Sequence, residues 1–314
     1  MRIREATEKD IPEIVMVLKA SLGEKDLALS EEIWQYKHIK NPFGKSLVFI
    51  AEEDESIVGV RAFMRWQWNF KQKKFSCFRA VDTATLPEHQ GKGIFKKLTL
   101  TALDLAKEEK ASFVFNTPNE KSRPGYLKMG WEEVGKIEVT LYPAFNSFWK
   151  LFRNEREYSV EYRASFSQIE KLCREWNKKL SEKNLHTLKS ADYLKWRYEN
   201  NPLRNYEVLG TENFYLAGYI QFHRGVKELR IVESIFINPQ GQIELRNCIK
   251  RWSFKFGAQL ISFSPKLLGI PGPTVKGNFG PVLTVREILL TPTEMDISLS
   301  KDKWDYSLGD LELF

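Results

Sequence analysis

The sequence has few cysteines and no long apolar run. Cys77, Cys173 and Cys248 are the three cysteines among 314 residues, and they lie far apart without a CxxC pair, which argues against a disulfide framework and a cysteine-rich zinc site. No run approaches the roughly 18 apolar residues of a membrane span, and the charged N-terminus lacks the apolar segment of a signal peptide. The HExxH motif is absent too, so no metal is expected. These absences predict a cytoplasmic protein with no membrane partner.

Charge of one sign is only slightly in excess. The chain has 48 Lys and Arg against 41 Asp and Glu, a net charge of +7, whereas a nucleic-acid partner requires clustered charge. The densest basic cluster spans residues 61–79, but apolar and polar residues alternate there between positions 60 and 70. This alternation is typical of a hairpin with one buried face. We therefore expect Arg61 on a solvated face and residues 71–74 in an exposed turn, and we do not expect nucleic acid as the partner.

Length and element order indicate two α/β domains. A domain usually has about 100–200 residues, and the hydrophobic fraction of 42% is ordinary for a globular chain. The order strand, helices, three strands, glycine loop, helix, strand, short helix, strand predicts a first domain over residues 1–145. The interval 146–160 is interpreted as a linker, and residues 161–314 as a second domain. Within the first domain we expect a long helix over 94–107 and a left-handed helix cap at Gly130.

A glycine loop follows the strand that ends at Thr85. Gly91 and Gly93 allow the backbone to approach a ligand closely, and the free amides of a helix start favour an anion such as pyrophosphate. Lys92 adds a positive charge. The loop is neither a Walker loop nor GxGxxG, and a glycine loop alone is weak evidence because ordinary turns contain glycine too.

Two segments together resemble the GNAT superfamily of N-acetyltransferases. Residues 81–95, VDTATLPEHQGKGIF, are similar to the family's acetyl-CoA motif, Q/R-x-x-G-x-G/A after a strand and a proline. Residues 119–131, NEKSRPGYLKMGW, resemble the second motif, an asparagine followed by Y-x-K-x-G-F. Phe95 stands where the family often has Gly or Ala. The resemblance covers about residues 1–141 and implies acetyl-CoA as co-substrate.

The resemblance also implies individual roles. The backbone of residues 83–85 would pair with the pantetheine arm, and the amides of residues 90–95 would bind the pyrophosphate. Asn119 would hydrogen-bond the pantetheine, and Tyr126 would approach the sulfur as general acid. The expected cofactor-binding residues are Thr83, Ala84, Thr85, Gln90, Gly91, Lys92, Gly93, Ile94, Phe95 and Asn119, and the expected catalytic residues are Tyr126 and Asp82.

Several residues are candidates for the general base. Asp82 is the first candidate because it lies on the strand that leads to the site, although a salt-bridged carboxylate fits this position equally well. His38 lies where the family has its variable acceptor-binding segment. Phe314 and Asp310 are further candidates, since some similar tandem acetyltransferases bring their C-terminus into the active site. A tail packed away from the chemistry is the preferred expectation.

The motifs of the first half recur in the second half. The pattern W-x-Y followed by Asn-Pro occurs at residues 34–42 and again at 196–202. Val-Asp-Thr at 81–83 is echoed by Val-Glu-Ser at 232–234. This repetition predicts two GNAT-like domains in tandem, each a mixed central sheet flanked by helices.

The second copy is expected not to bind acetyl-CoA. Its loop places the branched side chain of Ile243 where the first copy has the close-approach glycine. Glu244 adds negative charge beside a helix start that would have to receive phosphate. The second domain is therefore interpreted as a degenerate copy with a structural role on the acceptor side.

The expected activity is direct transfer of an acetyl group from acetyl-CoA to a primary amine. A small-molecule amine or amino sugar is the favoured acceptor, while its identity and the oligomeric state stay open. One alternative is a FemABX-like aminoacyltransferase that uses aminoacyl-tRNA, which the pI of about 9.1 suits but the intact loop over residues 90–93 opposes. Another alternative is a non-catalytic module that binds acetyl-CoA.

Overall fold

A computed structural model describes residues 1–22, 30–144, 157–223 and 225–311. The chain divides into two units, each built from non-contiguous segments. The first unit consists of Met1–Trp68, Lys74–Gly135 and Val282–Ser300, and the second consists of Asn69–Lys73, Lys136–Pro281 and Lys301–Phe314. No helix in the described ranges has both the length and the apolar composition of a membrane span.

The regular elements follow in chain order. The strands are β1 (Arg2–Glu5), β2 (Leu47–Glu53), β3 (Ser56–Phe70), β4 (Lys73–Thr85), β5 (Phe113–Asn116), β6 (Glu132–Lys136), β7 (Val139–Pro143), β8 (Val160–Tyr162), β9 (Leu185–Thr187), β10 (Glu207–Gly210), β11 (Phe214–His223), β12 (Val226–Phe236), β13 (Leu260–Phe263), β14 (Val275–Gly277), β15 (Val282–Glu287) and β16 (Trp304–Asp305). The α-helices are α1 (Ile11–Leu22), α2 (Glu31–His38), α3 (Ile94–Glu108), α4 (Arg123–Lys128), α5 (Phe166–Ser181), α6 (Ala191–Leu194), α7 (Pro239–Phe256), α8 (Pro292–Leu299) and α9 (Leu308–Leu311).

Each unit has a mixed sheet, and the two sheets share one strand pattern. The first follows the order β1-β2-β3-β4-β5-β15-β6, and the second, written in the same sense, follows β8-β10-β11-β12-β13-β7-β14. The parallel pair β4–β5 corresponds to the parallel pair β12–β13. The sheets differ at one edge, where β1 is antiparallel to β2 but β8 is parallel to β10. The predicted class of two α/β units with mixed sheets is confirmed.

The repeated Asn-Pro motif forms the same local turn in both units. Asn41 Oδ1 accepts a hydrogen bond from the Phe43 amide at 2.9 Å. Asn201 Oδ1 accepts one from the Leu203 amide at the same distance, 2.9 Å. An asparagine that bonds the amide two residues onward mimics a backbone turn. The repetition read in the sequence therefore has a structural counterpart at this position.

The units do not follow the predicted boundaries 1–145 and 161–314. β7, from the predicted first domain, pairs with β13 and β14 in the second sheet. β15, from the predicted second domain, pairs with β5 in the first sheet. Local sequence indicates a strand but not its distant pairing partner, so this exchange was not visible in the sequence. Of the predicted linker 146–160, residues 146–156 lie outside the described residues and Val160 begins β8.

The basic hairpin of β3 and β4 is buried on both faces, not on one. Trp66 and Trp68 are fully buried as expected, and residues 71–74 are exposed as expected. Arg61 is also 0% exposed, so its predicted solvated position is wrong. The reason is a second apolar layer, because Phe63 packs in one core cluster with side chains of α3 and α4. Alternation along a strand shows which residues share a face, but not whether helices cover the other face.

Candidate active site

The loop after β4 leads into an open helix start. Gly91 and Gly93 have φ angles of 77° and 74°, in the left-handed region that glycine adopts readily. In the part of the chain that the structure describes, no atom lies within 4 Å of the position that a Cβ would take at either glycine. Gly93 is the N-cap of α3 and supplies no side-chain cap, and the first turn contains no acidic residue. An anionic phosphate group fits such a helix start.

Side chains at the base of this loop fix its position. Gln90 Nε2 donates to the carbonyl of Thr85 at 3.2 Å, and Ser21 Oγ donates to the same carbonyl at 3.1 Å. The Lys92 side chain is 52% exposed, with Nζ 3.6 Å from a carboxylate oxygen of Glu53. Lys92 is therefore able to turn toward a bound anion at little cost.

Phe95 packs on α4 instead of filling the loop. Its ring meets the ring of Tyr126 edge to face, with 5.4 Å between the centroids. A Cβ at Gly125 would lie 3.1 Å from the Phe95 ring, so glycine permits this close approach. Ile94 beside it is buried in the core. The departure from the family pattern at Phe95 thus leaves the open side of the loop unchanged.

Tyr126 lies at the centre of a buried hydrogen-bonded group. Its side chain is on α4 and only 5% exposed, and its hydroxyl accepts a hydrogen bond from Arg61 Nη1 at 2.6 Å. The same nitrogen donates to Thr83 Oγ1. The side chain of Arg61 therefore links the Tyr126 hydroxyl to the strand segment 83–85. Sequence reasoning selected Tyr126 and Thr83 but missed Arg61, which only its shared parity with the buried Phe63 could have indicated.

Asp82 sits in β4 with a left-handed backbone. Its φ is 41°, a conformation that costs a non-glycine residue about 1–3 kcal/mol and is frequent at functional sites. Asp82 Oδ2 lies 2.5 Å from Lys37 Nζ and 2.8 Å from His38 Nε2. Burial would raise the pKa of Asp82, but Lys37 and His38 together hold it well below its usual range. Asp82 is therefore ionised at neutral pH.

His38 connects Asp82 to a cavity in the first unit. Burial lowers the pKa of His38, against the opposing effect of Asp82, so its imidazole is neutral at neutral pH. The carboxylate can only accept, so Nε2 carries the proton and Nδ1 accepts from Ser46 Oγ, 2.9 Å away. His38 and Ser46 line a cavity of about 380 Å³, together with residues of α1 and Trp34 of α2. This volume is suited to a small molecule.

Asn119 begins the turn into α4. Its Oδ1 accepts hydrogen bonds from the Ser122 amide at 2.9 Å and from Ser122 Oγ at 3.0 Å. The side-chain oxygen is thus committed to the helix start. The amide nitrogen Nδ2 is the donor that a pantetheine carbonyl would need.

The corresponding helix start of the second unit is closed. Residues 240–242 are already in the first turn of α7 and not in a loop, which corrects the sequence interpretation. Asn238 Oδ1 accepts from the Gly241 amide at 2.7 Å. A Cβ at Gly241 would lie 2.4 Å from the carbonyl oxygen of Asn213. Asn213 therefore occupies the space that a phosphate would need, and Asn238 occupies the Gly241 amide that would bind it.

Asp310 belongs to a buried charge cluster of the second unit. Lys189 Nζ lies 2.6 Å from both Asp310 Oδ1 and Glu233 Oε2, and Tyr193 donates to Asp310 at 3.0 Å. Asp310 is 0% exposed. Glu233 is the residue that the repeat aligns with Asp82, so each unit holds a strand carboxylate paired with a lysine. Phe314, the other C-terminal candidate for the base, lies outside the described residues.

The N-terminal part of the chain is similar to one known domain family. Residues 2–134 match the family model of the acetyltransferase (GNAT) domain. The recognition based on the two motifs is therefore confirmed. Both motifs fall inside the matched segment.

Several solved structures resemble most of the chain in fold. A probable N-acyltransferase from Enterococcus faecalis V583 gives a TM-score of 0.66 at 14% identity, over 91% of this chain and 72% of that one. A GCN5-related N-acetyltransferase from Anabaena variabilis gives 0.65 at 12%, over 92% and 73%. Eis1 from Mycobacterium abscessus gives 0.61 at 10%, over 96% and 76%. At such identities the likeness concerns the fold. A search of curated proteins gave no significant match.

Proposed function

We propose that the first unit transfers the acetyl group of acetyl-CoA to a primary amine of a small molecule. GNAT domains use acetyl-CoA as co-substrate. The observation that carries the proposal is the pairing, within one such domain, of the open helix start at residues 91–93 with the Tyr126 hydroxyl beside residues 83–85.

The residues present fit acetyl-CoA. The amides of residues 91–95 would bind the pyrophosphate, because the glycines leave open space and the helix start attracts anions. The Gln90 amide already donates to the Pro87 carbonyl at 3.2 Å. The backbone of residues 83–85 would pair with the pantetheine arm, and Asn119 Nδ2 would donate to it. Acetyl-CoA supplies an activated acyl carbon, and an amide near Thr85 would stabilise negative charge on its oxygen.

We assign Asp82 the role of proton acceptor for the amine. Its low proton affinity, caused by Lys37 and His38, means that it takes a proton only from a strongly acidic donor. An amine nitrogen becomes such a donor once it has bonded to the acetyl carbon. The amine must therefore arrive neutral, and Asp82 acts after the nitrogen–carbon bond forms.

We assign Tyr126 the role of general acid. As the carbon–sulfur bond breaks, the hydroxyl gives its proton to the sulfur and becomes a phenolate. The amine proton goes to Asp82 and then to water, and water returns a proton to Tyr126. The products are the amide and the free thiol, and the enzyme regains its starting protonation.

We propose further that the second unit binds no acetyl-CoA. Its helix start is capped by Asn238 and packed tightly against Asn213. This degenerate copy would then serve on the acceptor side or in a structural role.

Titration of the protein with acetyl-CoA, followed by a thiol-release assay with a panel of small amines and amino sugars, tests the proposal. Binding with amine-dependent thiol release supports the acetyltransferase. Binding without release for any amine favours the non-catalytic module. Absence of binding favours the aminoacyltransferase, which needs no pyrophosphate site.

A further inference from the structure

Arg61 is a buried cation without a carboxylate partner among the described residues. It is 0% exposed on β3, and its Nε and Nη2 have no hydrogen-bond partner within the described ranges. Burying a charge without an ionic partner is costly. A hydrophobic residue would fill this site in the core at lower cost, so the arginine calls for a reason beyond packing.

Aromatic rings hold the guanidinium in one orientation. Its central carbon lies 4.9 Å from the ring centroid of Phe63, 5.6 Å from that of Phe95 and 5.1 Å from that of Tyr126. Cation–π attraction of this kind partly offsets the loss of hydration. The rings also fix the direction of Nη1, which donates to Tyr126 Oη and to Thr83 Oγ1.

This donor determines the direction of the Tyr126 proton. Arginine has donors only, so Tyr126 Oη must accept from Arg61 Nη1. The phenolic hydrogen then has to point away from Arg61. When that hydrogen leaves, the resulting phenolate lies 2.6 Å from a nitrogen of the positively charged guanidinium, in a side chain that is 5% exposed.

We propose that Arg61 is a positioning residue for the general acid: it orients the Tyr126 hydroxyl and stabilises the phenolate formed when the proton moves to the leaving sulfur. This inference rests on the proposed acetyl transfer. Thr83 Oγ1, which shares the donor, ties the arrangement to the strand that would carry the pantetheine.

A double-mutant cycle separates this role from packing. Arg61→Met removes the charge and keeps the length of the side chain, and Tyr126→Phe removes the hydroxyl. In the wild-type background we expect Arg61→Met to lower kcat by about 10²-fold, the usual effect of losing one preorganised donor, with unchanged acetyl-CoA affinity. In the Tyr126→Phe background the same change should lower kcat by less than about 3-fold, because its target is gone.

Two further variants control for stability. Arg61→Lys keeps a positive charge among the rings of Phe63, Phe95 and Tyr126. This variant should therefore fold and recover part of the kcat lost in Arg61→Met. Arg79→Met removes another fully buried arginine of the same sheet, and should lower thermal stability without coupling to Tyr126→Phe.

The outcomes distinguish a failure of the role proposed for Arg61 from a failure of the proposed acetyl transfer. Equal losses of kcat from Arg61→Met in both backgrounds, or losses confined to KM or to thermal stability, would show that Arg61 acts independently of Tyr126 and would overturn its assigned role. If Arg61→Met does not fold, the cycle is measured with Arg61→Lys instead. An equal loss of kcat from Arg61→Lys in both backgrounds then leads to the same conclusion. Absence of turnover in the wild-type protein would instead overturn the acetyl transfer itself, and the role of Arg61 with it.

Discussion

The imidazole of His38 holds the carboxylate of Asp82, with 2.8 Å between Nε2 and Oδ2. The next residue of β4, Thr83, contacts Arg61 and through it Tyr126. Asp82 and Thr83 are consecutive residues of β4, and they contact α2 and, through Arg61, α4. Asp82 has a left-handed φ at this point of the strand. The residue proposed to accept the amine proton is therefore adjacent in β4 to the residue that shares the Arg61 donor with Tyr126, which is proposed to protonate the sulfur.

Gly93→Glu should abolish acetyl-CoA binding by the first unit. The new side chain would occupy the open space before α3 and bring negative charge to a site for phosphate. Isothermal titration measures the effect. The matched control is Ile243→Glu on α7, where the side chain is 51% exposed and acetyl-CoA affinity should not change. Equal weakening by both variants would contradict the assignment of one site.

Tyr126→Phe should lower kcat by about 10²–10⁴-fold, because it removes the proton donor and keeps the ring. Acetyl-CoA affinity should change little, since the ring contacts with Phe95 and Trp131 remain. Thiol-release assays measure kcat, and titration measures acetyl-CoA affinity. Unchanged kcat would make Tyr126 a packing residue and leave water as the proton source.

The parts of the structure nearest the two motifs could be predicted from the sequence. The helix expected over 94–107 is α3, Ile94–Glu108, and Gly130 has the expected left-handed φ, 85°. These features depend on local patterns of apolar residues and glycine.

The missed features depend on distant parts of the chain. The exchange of β7 and β15 is decided by backbone pairing between segments more than 100 residues apart. The burial of Arg61 is decided by helices that cover a second face of β3. No local spacing contains either kind of information. The position of His38 between Asp82 and Ser46 likewise depends on where α2 packs.

Stability should fall as the pH drops below about 6.5, the ordinary pKa of histidine. Burial lowers the pKa of His38, and that of His186 to about 4. The unfolded chain therefore binds more protons than the folded one below the ordinary value, so unfolding becomes more favourable as pH falls. Urea unfolding at pH 7.5 and 5.5 measures the slope, which should be shallower in His186→Gln. An unchanged slope in that variant would mean that His186 titrates normally in the folded protein.

Asp310→Asn tests whether the C-terminal carboxylate is structural or catalytic. The substitution leaves the buried Lys189 with Glu233 as its remaining carboxylate, and breaking a buried ion pair costs about 3–5 kcal/mol. We expect a lower melting temperature and a smaller free energy of unfolding. Asp302→Asn is the matched control, because that side chain is 88% exposed and lies 3.4 Å from Lys266, where ion pairs contribute little.

The activity of the same variant decides between the two roles. If Asp310 stabilises the second unit, Asp310→Asn measured below its melting temperature should keep acetyl-CoA affinity and most of the wild-type kcat, since the carboxylate is buried and bonded to Lys189 and Tyr193. A fall in kcat by about 10²-fold or more, with the melting temperature and acetyl-CoA affinity both unchanged, would instead assign Asp310 to the chemistry. The Asp310 side chain is 0% exposed, so an amine has no access to its carboxylate, and we expect the structural outcome.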